Sequence, residues 1–217
     1  MDRHKSFYKT DRLILFSGGV ESTAILSSMA NDTDFVITFT KENWALKNSW
    51  VNVEAVKRII AKLKIKNHLF YDIPPPPSLD LYNEKIPRHQ VDVIFPFVLY
   101  FLRVNPQISE VYYGNNSEDI PKQIEKGHGN MYDEWFDIFS IGWELTPGST
   151  AKDYKRRINV LHPLGKLTKK DHWMLIPDEV KPDVYSCWSR MGPNPSEEPC
   201  GTCGKCEKRK ISGLPLG

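Results

Sequence analysis

Residues 12–29 decide the fold, and they read RLILFSGGVESTAILSSM. Residues 12–16 form a short apolar run, which is typical of a strand that is buried on both faces of a sheet. Two glycines and several hydroxyl side chains follow directly, and the stretch from Ala24 to Met29 then predicts a helix. A strand, a glycine turn and a helix in this order predict the first unit of an α/β fold.

Strands and helices continue to alternate along the chain. The pattern predicts strands at residues 35–39, 68–71, 110–113 and 159–161, and helices at residues 53–63, 91–102 and, capped by Thr168, up to residue 175. We expect an extended loop at Pro74–Pro77 and consider a helix near residues 132–139. The alternation predicts an α/β protein with a doubly wound parallel sheet. Residues 1–184 would form this domain, and residues 185–217 a C-terminal appendage.

The glycine turn has the features of a phosphate-binding loop. Its glycines let the backbone curl and present N–H groups, and the helix that follows adds its positive N-terminus. The loop lacks the lysine of the Walker motif and the glycine spacing of dinucleotide-binding folds, so neither of those mechanisms fits. The residues that we predict to bind the phosphates of a nucleotide are Ser17, Gly18, Gly19, Val20, Glu21, Ser22 and Thr23.

All four cysteines of the chain, Cys187, Cys200, Cys203 and Cys206, lie near its C-terminal end. Their spacing favours a tetrahedral Zn(II) site, which would be structural because four thiolates leave no open position on the metal. An iron–sulfur cluster and disulfide bonds are the alternatives. Disulfides would be strained across such short loops, and they conflict with a chain that shows no secretion signal.

Charge and hydropathy exclude few classes of protein. Lys and Arg number 29 against 27 Asp and Glu, so the net charge of +2 does not require a nucleic-acid partner. Basic side chains gather in residues 151–217, which leaves RNA binding open. No apolar run is long enough to cross a membrane, and the N-terminus is polar, so we expect a cytoplasmic protein without membrane contact.

The stretch Ser17-Gly18-Gly19-Val20-Glu21-Ser22 resembles the Ser-Gly-Gly-x-Asp-Ser signature of the PP-loop ATP pyrophosphatase superfamily, with Glu21 in place of the aspartate. Together with the cysteine spacing, it is similar to the 7-cyano-7-deazaguanine synthase family. The resemblance implies an adenine nucleotide alpha hydrolase-like fold, cleavage of ATP between the α and β phosphates, and transfer of AMP to a substrate oxygen. It also implies Mg(II) with ATP, a structural Zn(II), and 7-carboxy-7-deazaguanine and ammonia as substrates.

The same resemblance extends to two later segments. Residues 111–119 are similar to a strand, glycine and downstream aspartate of the family, which implies that Gly114, Asn116 and Asp119 contact the substrate. His162-Pro163-Leu164, followed by Lys169, is similar to a family segment whose lysine approaches the phosphates. The catalytic residues implied are Glu21, Lys169 and Asp119.

Three hypotheses about function follow. The first is an ATP-dependent ligase that adenylates a deazaguanine carboxylic acid and transfers it to ammonia, which gives an amide or a nitrile. The second is a variant that couples the adenylated deazaguanine to an amine on a protein or another macromolecule, in phage or anti-phage biology. It gains support because the family segments around the base are replaced at residues 41–44 and 88–92. The third is a catalytically degenerate, zinc-containing RNA-binding or scaffold module. A protein partner and a homodimer remain open.

Overall fold

The computed structural model describes residues 11–40, 52–73, 90–118, 158–187 and 199–216. These residues form a five-stranded sheet in which every neighbouring pair of strands is parallel. The strand order is β3-β2-β1-β4-β5. The strands are β1 (Arg12–Leu15), β2 (Phe35–Thr40), β3 (His68–Asp72), β4 (Glu110–Tyr112) and β5 (Asn159–Leu161).

Strand β1 lies at the centre of the sheet. Its Leu13 stands opposite Phe35 of β2 on one side and Val111 of β4 on the other. Leu13 and Ile14 are completely or almost completely buried. A strand with neighbours on both edges and helices on both faces has no solvent-facing side, which explains why its sequence is continuously apolar.

Helices cover both faces of the sheet. The helices are α1 (Val20–Met29), α2 (Val53–Lys62), α3 (Gln90–Val104), α4 (Lys169–Met174), a 3-10 helix (Lys181–Asp183) and α5 (Gly204–Ile211). Because side chains alternate along a strand, Ile14 and Leu13 enter different cores. The core around Ile14 includes residues of α1, α2 and α4, whereas the core around Leu13 includes residues of α3. The predicted doubly wound parallel sheet is confirmed.

Several element boundaries differ from those predicted. Helix α1 begins at Val20 and not at Ala24, because Gly18 turns the chain with a φ of +76° and Gly19 then acts as the N-cap. Strand β1 ends at Leu15, although the amide of Phe16 still donates to the carbonyl of Ile37 at 2.9 Å. The glycine turn thus starts the helix directly after the strand.

Two predicted elements lie outside the described residues: the loop at Pro74–Pro77 and the helix near residues 132–139. Within the described ranges, no helix combines the length and the apolar character that a membrane span requires.

The strand order reverses between β1 and β4. From β1 the chain proceeds through β2 to β3 towards one edge of the sheet, whereas β4 and β5 build the other edge. At such a reversal the general rule for open α/β sheets predicts a crevice at the carboxyl ends of β1 and β4. In open α/β sheets this is where ligands bind. The loop after β1 is the predicted phosphate loop.

Candidate functional site

The phosphate loop is held in a curled shape by its own polar groups. The Oγ atoms of Ser17 and Ser22 lie 3.1 Å apart, and the amide of Ser17 donates to Oγ of Ser22 at 3.3 Å. Gly18 has a φ of +76°, and a Cβ on this residue would lie 3.0 Å from Val56 Cγ2, so both its conformation and its surroundings require glycine. Gly19, the N-cap, offers no side chain to the first amides of α1. This leaves the start of the helix suited to an anion.

Not every residue of the predicted loop faces the crevice. Thr23 is completely buried, and its amide donates to the carbonyl of Gly19 at 2.9 Å. Val20 is also completely buried and belongs to the core around Ile14. Ser22 is nearly buried, and its hydroxyl makes hydrogen bonds within the loop. These three residues therefore shape the loop in this structure, and their contact with phosphate stays a prediction.

Glu21 lies in the first turn of α1 and is the acidic centre of the site. Its Oε1 accepts hydrogen bonds from Asn116 Nδ2 at 2.8 Å and from Lys169 Nζ at 2.5 Å. Its Oε2 lies on the side of Gly19, 3.9 Å from the position that a Cβ would take there. Burial disfavours the charged carboxylate, but the positive charges of Lys169 and Lys205 and the hydrogen bond from Lys169 outweigh it. They lower the pKa of Glu21 to about 2, so the side chain is ionised at neutral pH.

Gly114 brings the end of β4 against the start of α1. A Cβ on Gly114 would lie 2.7 Å from the amide nitrogen of Ser22 and 3.0 Å from the carbonyl carbon of Glu21. Any side chain at position 114 would therefore push the end of β4 away from the start of α1. This contact closes one wall of the crevice and brings Asn116, two residues further on, within reach of Glu21.

Asn116 is fixed by the turn in which it lies. It is 1% exposed, its amide donates to Oδ1 of Asn115 at 2.9 Å, and its own Oδ1 accepts from the amide of Glu118 at 3.0 Å. The side-chain oxygen is used in this turn, so the side-chain NH₂ group is directed to the Glu21 carboxylate. Asp119, for which the sequence predicts a role beside Asn116, lies outside the described residues.

Lys169 is the first residue of α4 and is 3% exposed. A capping box formed by Thr168 and Asp171 fixes the start of the helix, as the sequence predicts for Thr168. Helix α4 packs against α1, and the amide of Ser117 donates to the carbonyl of Leu167 at 3.0 Å. The segment that carries Lys169 is thereby attached both to α1 and to the loop after β4.

His172, one turn further along α4, is a part of the site that the sequence does not predict. It is completely buried, and its Nδ1 lies 2.9 Å from the carbonyl oxygen of Thr168. Burial lowers the pKa of His172, and the nearby charge of Glu21 opposes this effect. The imidazole is therefore neutral at pH 7, and it lies close enough to Glu21 and Lys169 for both charges to act on it. An isolated histidine in an amphipathic helix gives no sequence signal for this position.

The C-terminal segment crosses the phosphate loop. The amide of Tyr185 donates to the carbonyl of Gly18 at 2.9 Å. Arg209 of α5 is 1% exposed, and its guanidinium donates to the carbonyl of Val184 and to Oγ of Ser186, both at 3.2 Å. Residues 184–186 thus lie between the glycine turn and α5, a contact that sequence spacing does not reveal.

The four cysteines come together in one cluster. All four sulfur atoms lie within 4.8 Å of one another, and adjacent Sγ atoms are 3.5 Å (Cys203–Cys206), 3.6 Å (Cys187–Cys200) and 4.0 Å (Cys187–Cys203) apart. Backbone amides of Cys200 and Cys203 donate to sulfur at 3.3 Å, the arrangement expected around thiolates. A tetrahedral ion with metal–sulfur bonds of about 2.3 Å separates its ligands by about 3.8 Å. The cluster therefore fits a single metal ion, and none of its cysteines is in a disulfide.

No protein-family model matches the chain. The chain aligns with the 7-cyano-7-deazaguanine synthase of Syntrophus aciditrophicus strain SB at 25% identity, over an alignment of 229 positions. The match covers 93% of this chain and 92% of that protein. This similarity supports the PP-loop superfamily of ATP-using enzymes. Among solved structures, the U34-tRNA thiolase NcsA from Methanococcus maripaludis, with its [4Fe-4S] cluster, aligns with a TM-score of 0.48 at 11% identity. That match covers 97% of this chain and 66% of the thiolase chain.

Proposed function

We propose that the protein is an ATP-dependent carbon–nitrogen ligase, a divergent relative of 7-cyano-7-deazaguanine synthase. It adenylates a 7-deazaguanine carboxylic acid and transfers the acyl group to ammonia. The observation that carries this proposal is the meeting of a glycine turn, an ionised glutamate and a buried lysine at the crevice between β1 and β4. The similarity along almost the full length of both chains supports the choice of substrate class.

The loop and Lys169 would each bind part of the triphosphate of ATP. The amides at the start of α1 suit the oxygens of an anion, as does the positive end of the helix. Lys169 Nζ is held at the Glu21 carboxylate and is almost completely buried, so its position is fixed before a ligand arrives. A fixed cation stabilises the negative charge that builds up on departing pyrophosphate without a reorganisation cost.

The reaction follows from this arrangement. A carboxylate oxygen of the acid attacks the α phosphorus, the bond from that phosphorus to the bridging oxygen breaks, and pyrophosphate leaves with an acyl-adenylate remaining. Ammonia then attacks the acyl carbon, AMP leaves with the carboxylate oxygen, and loss of a proton gives the amide. A second ATP would activate the amide oxygen in the same way. Loss of AMP and two protons then gives the nitrile. No protein nucleophile is required, and catalysis rests on positioning and charge stabilisation.

Mg(II) bound with ATP would neutralise charge on the phosphates. Glu21 is suited to hold it, because its carboxylate is ionised and two donors fix Oε1 while Oε2 lies on the loop side. Gly114 and Asn116 form the wall beside this carboxylate, so we assign the substrate acid to that wall, together with Asp119.

The four-cysteine cluster is proposed to hold Zn(II). Its Sγ–Sγ spacing suits one tetrahedral ion, whereas a [4Fe–4S] cluster bonds each thiolate to a different iron and so holds the sulfurs further apart. Burial and hydrogen bonds from neighbouring thiols raise the pKa of Cys206 to about 12, so this thiol would need a bound cation to ionise at neutral pH. The role assigned to zinc is structural.

One reaction tests the proposed function. Purified protein is incubated with Mg-ATP, ammonium and 7-carboxy-7-deazaguanine labelled with ¹⁸O in its carboxylate, and the products are read by mass spectrometry. We expect AMP and pyrophosphate only when the acid is present, and one ¹⁸O atom in the AMP. Lys169→Met is expected to lower the rate by roughly 100-fold or more. The exposed neighbour Lys170→Met is the matched control and should retain activity.

The product mass separates the remaining hypotheses. A nitrile or an amide supports the ammonia ligase, whereas deazaguanine attached to protein supports coupling to a macromolecular amine. AMP without the label would contradict attack by the carboxylate. If no AMP forms and RNA binding is strongly salt-dependent, the RNA-binding or scaffold hypothesis replaces the enzyme.

A further inference from the structure

Helix α5 presents two basic residues on the face that packs against residues 184–186. Arg209 lies on this face, since its guanidinium donates to Val184 and Ser186. Lys205 precedes Arg209 by four residues, and side chains four residues apart in a helix lie on the same face. Lys205 is half-buried, which agrees with a position at this interface.

The residues that this face contacts lie against the phosphate loop. Residues 184–186 touch that loop, because the amide of Tyr185 donates to Gly18 and its carbonyl lies 3.9 Å from a Cβ position on Gly19. Lys205 is close enough to the loop for its positive charge to lower the pKa of Glu21, second only to Lys169 among the charged neighbours. Two lysines from different parts of the chain therefore act on one carboxylate.

Lys205 also lies within the cysteine cluster in sequence. It stands between Cys203, the N-cap of α5, and Cys206, in the first turn of the helix. Both cysteines belong to the cluster that fits one metal ion. A metal bound by these sulfurs would fix the first turn of α5, and with it the direction of the lysine that the turn carries.

The charges at the site explain why a second cation is needed. Lys169 is paired with Glu21, so the pair as a whole carries no net charge. Pyrophosphate carries several negative charges, and part of the Lys169 charge is already offset by Glu21. Lys205 brings a second lysine charge to the same carboxylate, from α5 and not from α4.

We propose that Lys205 is a polyphosphate-binding residue of the ATP site, and that the metal ion of the four-cysteine cluster holds it in position. This inference rests on the proposed function, because it requires the loop to bind ATP. It gives the cysteine cluster a role in ligand binding beyond stability: loss of the metal would withdraw a cation from the phosphates.

Ligand binding measured by isothermal titration calorimetry tests the role of Lys205. The ligands are inorganic pyrophosphate and AMP, and the proteins are the wild type, Lys205→Met, Lys205→Arg and Lys170→Met. We expect Lys205→Met to bind pyrophosphate roughly tenfold more weakly, as loss of one partly screened charge predicts, and AMP with little change. Methionine retains most of the apolar stem, and arginine retains the charge, so Lys205→Arg should keep most of the pyrophosphate affinity.

Removal of the metal by a chelator tests the coupling. Pyrophosphate affinity should fall in the wild type when metal is removed, and it should fall much less in Lys205→Met, because the lysine that the metal holds is already gone. Metal content is measured on the same samples, and circular dichroism reports whether the α/β core stays folded.

Each outcome supports or overturns the inference. Equal pyrophosphate affinity in Lys205→Met and Lys170→Met would overturn the role of Lys205, as would Lys205→Arg if it weakened binding as much as Lys205→Met does. An equal loss on metal removal in the wild type and in Lys205→Met would overturn the coupling. A wild-type protein that binds neither pyrophosphate nor AMP would instead refute the proposed function itself.

Discussion

The Glu21–Lys169 pair makes the sharpest prediction about stability. Lys169 is 3% exposed, and its positive charge is balanced by a carboxylate 2.5 Å away. Glu21→Gln keeps the shape of the side chain but leaves the lysine charge uncompensated. The ordinary pKa of 4.5 and the folded value of about 2 differ by an amount that corresponds to about 3 kcal/mol at neutral pH. This lies in the range of about 3–5 kcal/mol that is typical when one partner of a buried ion pair is removed.

The pH dependence of the same variant gives an independent check. The folded pKa of Glu21 is lower than the unfolded one, so its stabilisation is complete above about pH 4.5 and is lost as the pH falls through about 2. Urea unfolding of the wild type and of Glu21→Gln should therefore differ by about 3 kcal/mol at pH 7, and the two should converge towards pH 2.

The control is Glu179→Gln, an exposed residue that should change stability little at any pH. The double variant Glu21→Gln/Lys169→Met removes both charges and should regain part of the lost stability. The reasoning is refuted if Glu21→Gln is as stable as the wild type at pH 7, or if the difference persists unchanged at pH 2.

Three further predictions concern other parts of the molecule. Gly114→Ala should lower stability by about 1–3 kcal/mol and weaken pyrophosphate binding, because a Cβ would lie 2.7 Å from the Ser22 amide; unchanged unfolding and binding would contradict the close approach. Cys203→Ser should lose the bound metal in elemental analysis and lower the melting temperature, whereas a metal-free variant of full stability would contradict a structural role. Burial lowers the pKa of His68 to about 4, so His68→Gln should weaken the loss of stability that the wild type shows as pH falls from about 6.5 to 4; an identical pH profile would refute this assignment.

The strands and helices could largely be predicted because their signals are local. The apolar run at residues 12–16 identified the central strand, and the 3–4 spacing between Val53 and Leu63 identified α2. The sequence predicts the start of α1 at Ala24, whereas the helix begins four residues earlier, at Val20. The stretch after Gly19 carries no apolar periodicity, and the glycine turn itself begins the helix.

The site could be predicted only in part, because its residues converge through the sheet. The glycine loop and the cysteines are each contiguous or nearly so, and their motifs are visible in the sequence. The meeting of Glu21 with Asn116 and Lys169 depends on the strand order, which places β4 beside β1 and which no local pattern reveals. Asp119 stays a prediction, as does the division of the chain at residue 184.

Lys205 shows why spacing alone cannot assign function near a metal site. In the sequence it is one of several basic residues beside the cysteines, a pattern that is typical of a solvated helix. The contacts that bring its helix near the loop involve other residues: Arg209 donates to Val184, and Tyr185 donates to Gly18. Tyr185 and Cys187 are two residues apart, so one short segment both contacts the phosphate loop and carries the first ligand of the cysteine cluster. A metal that orders one end of this segment therefore also limits the motion of the other. Under the proposed function, pyrophosphate affinity, and not only the melting temperature, should therefore respond to the loss of metal.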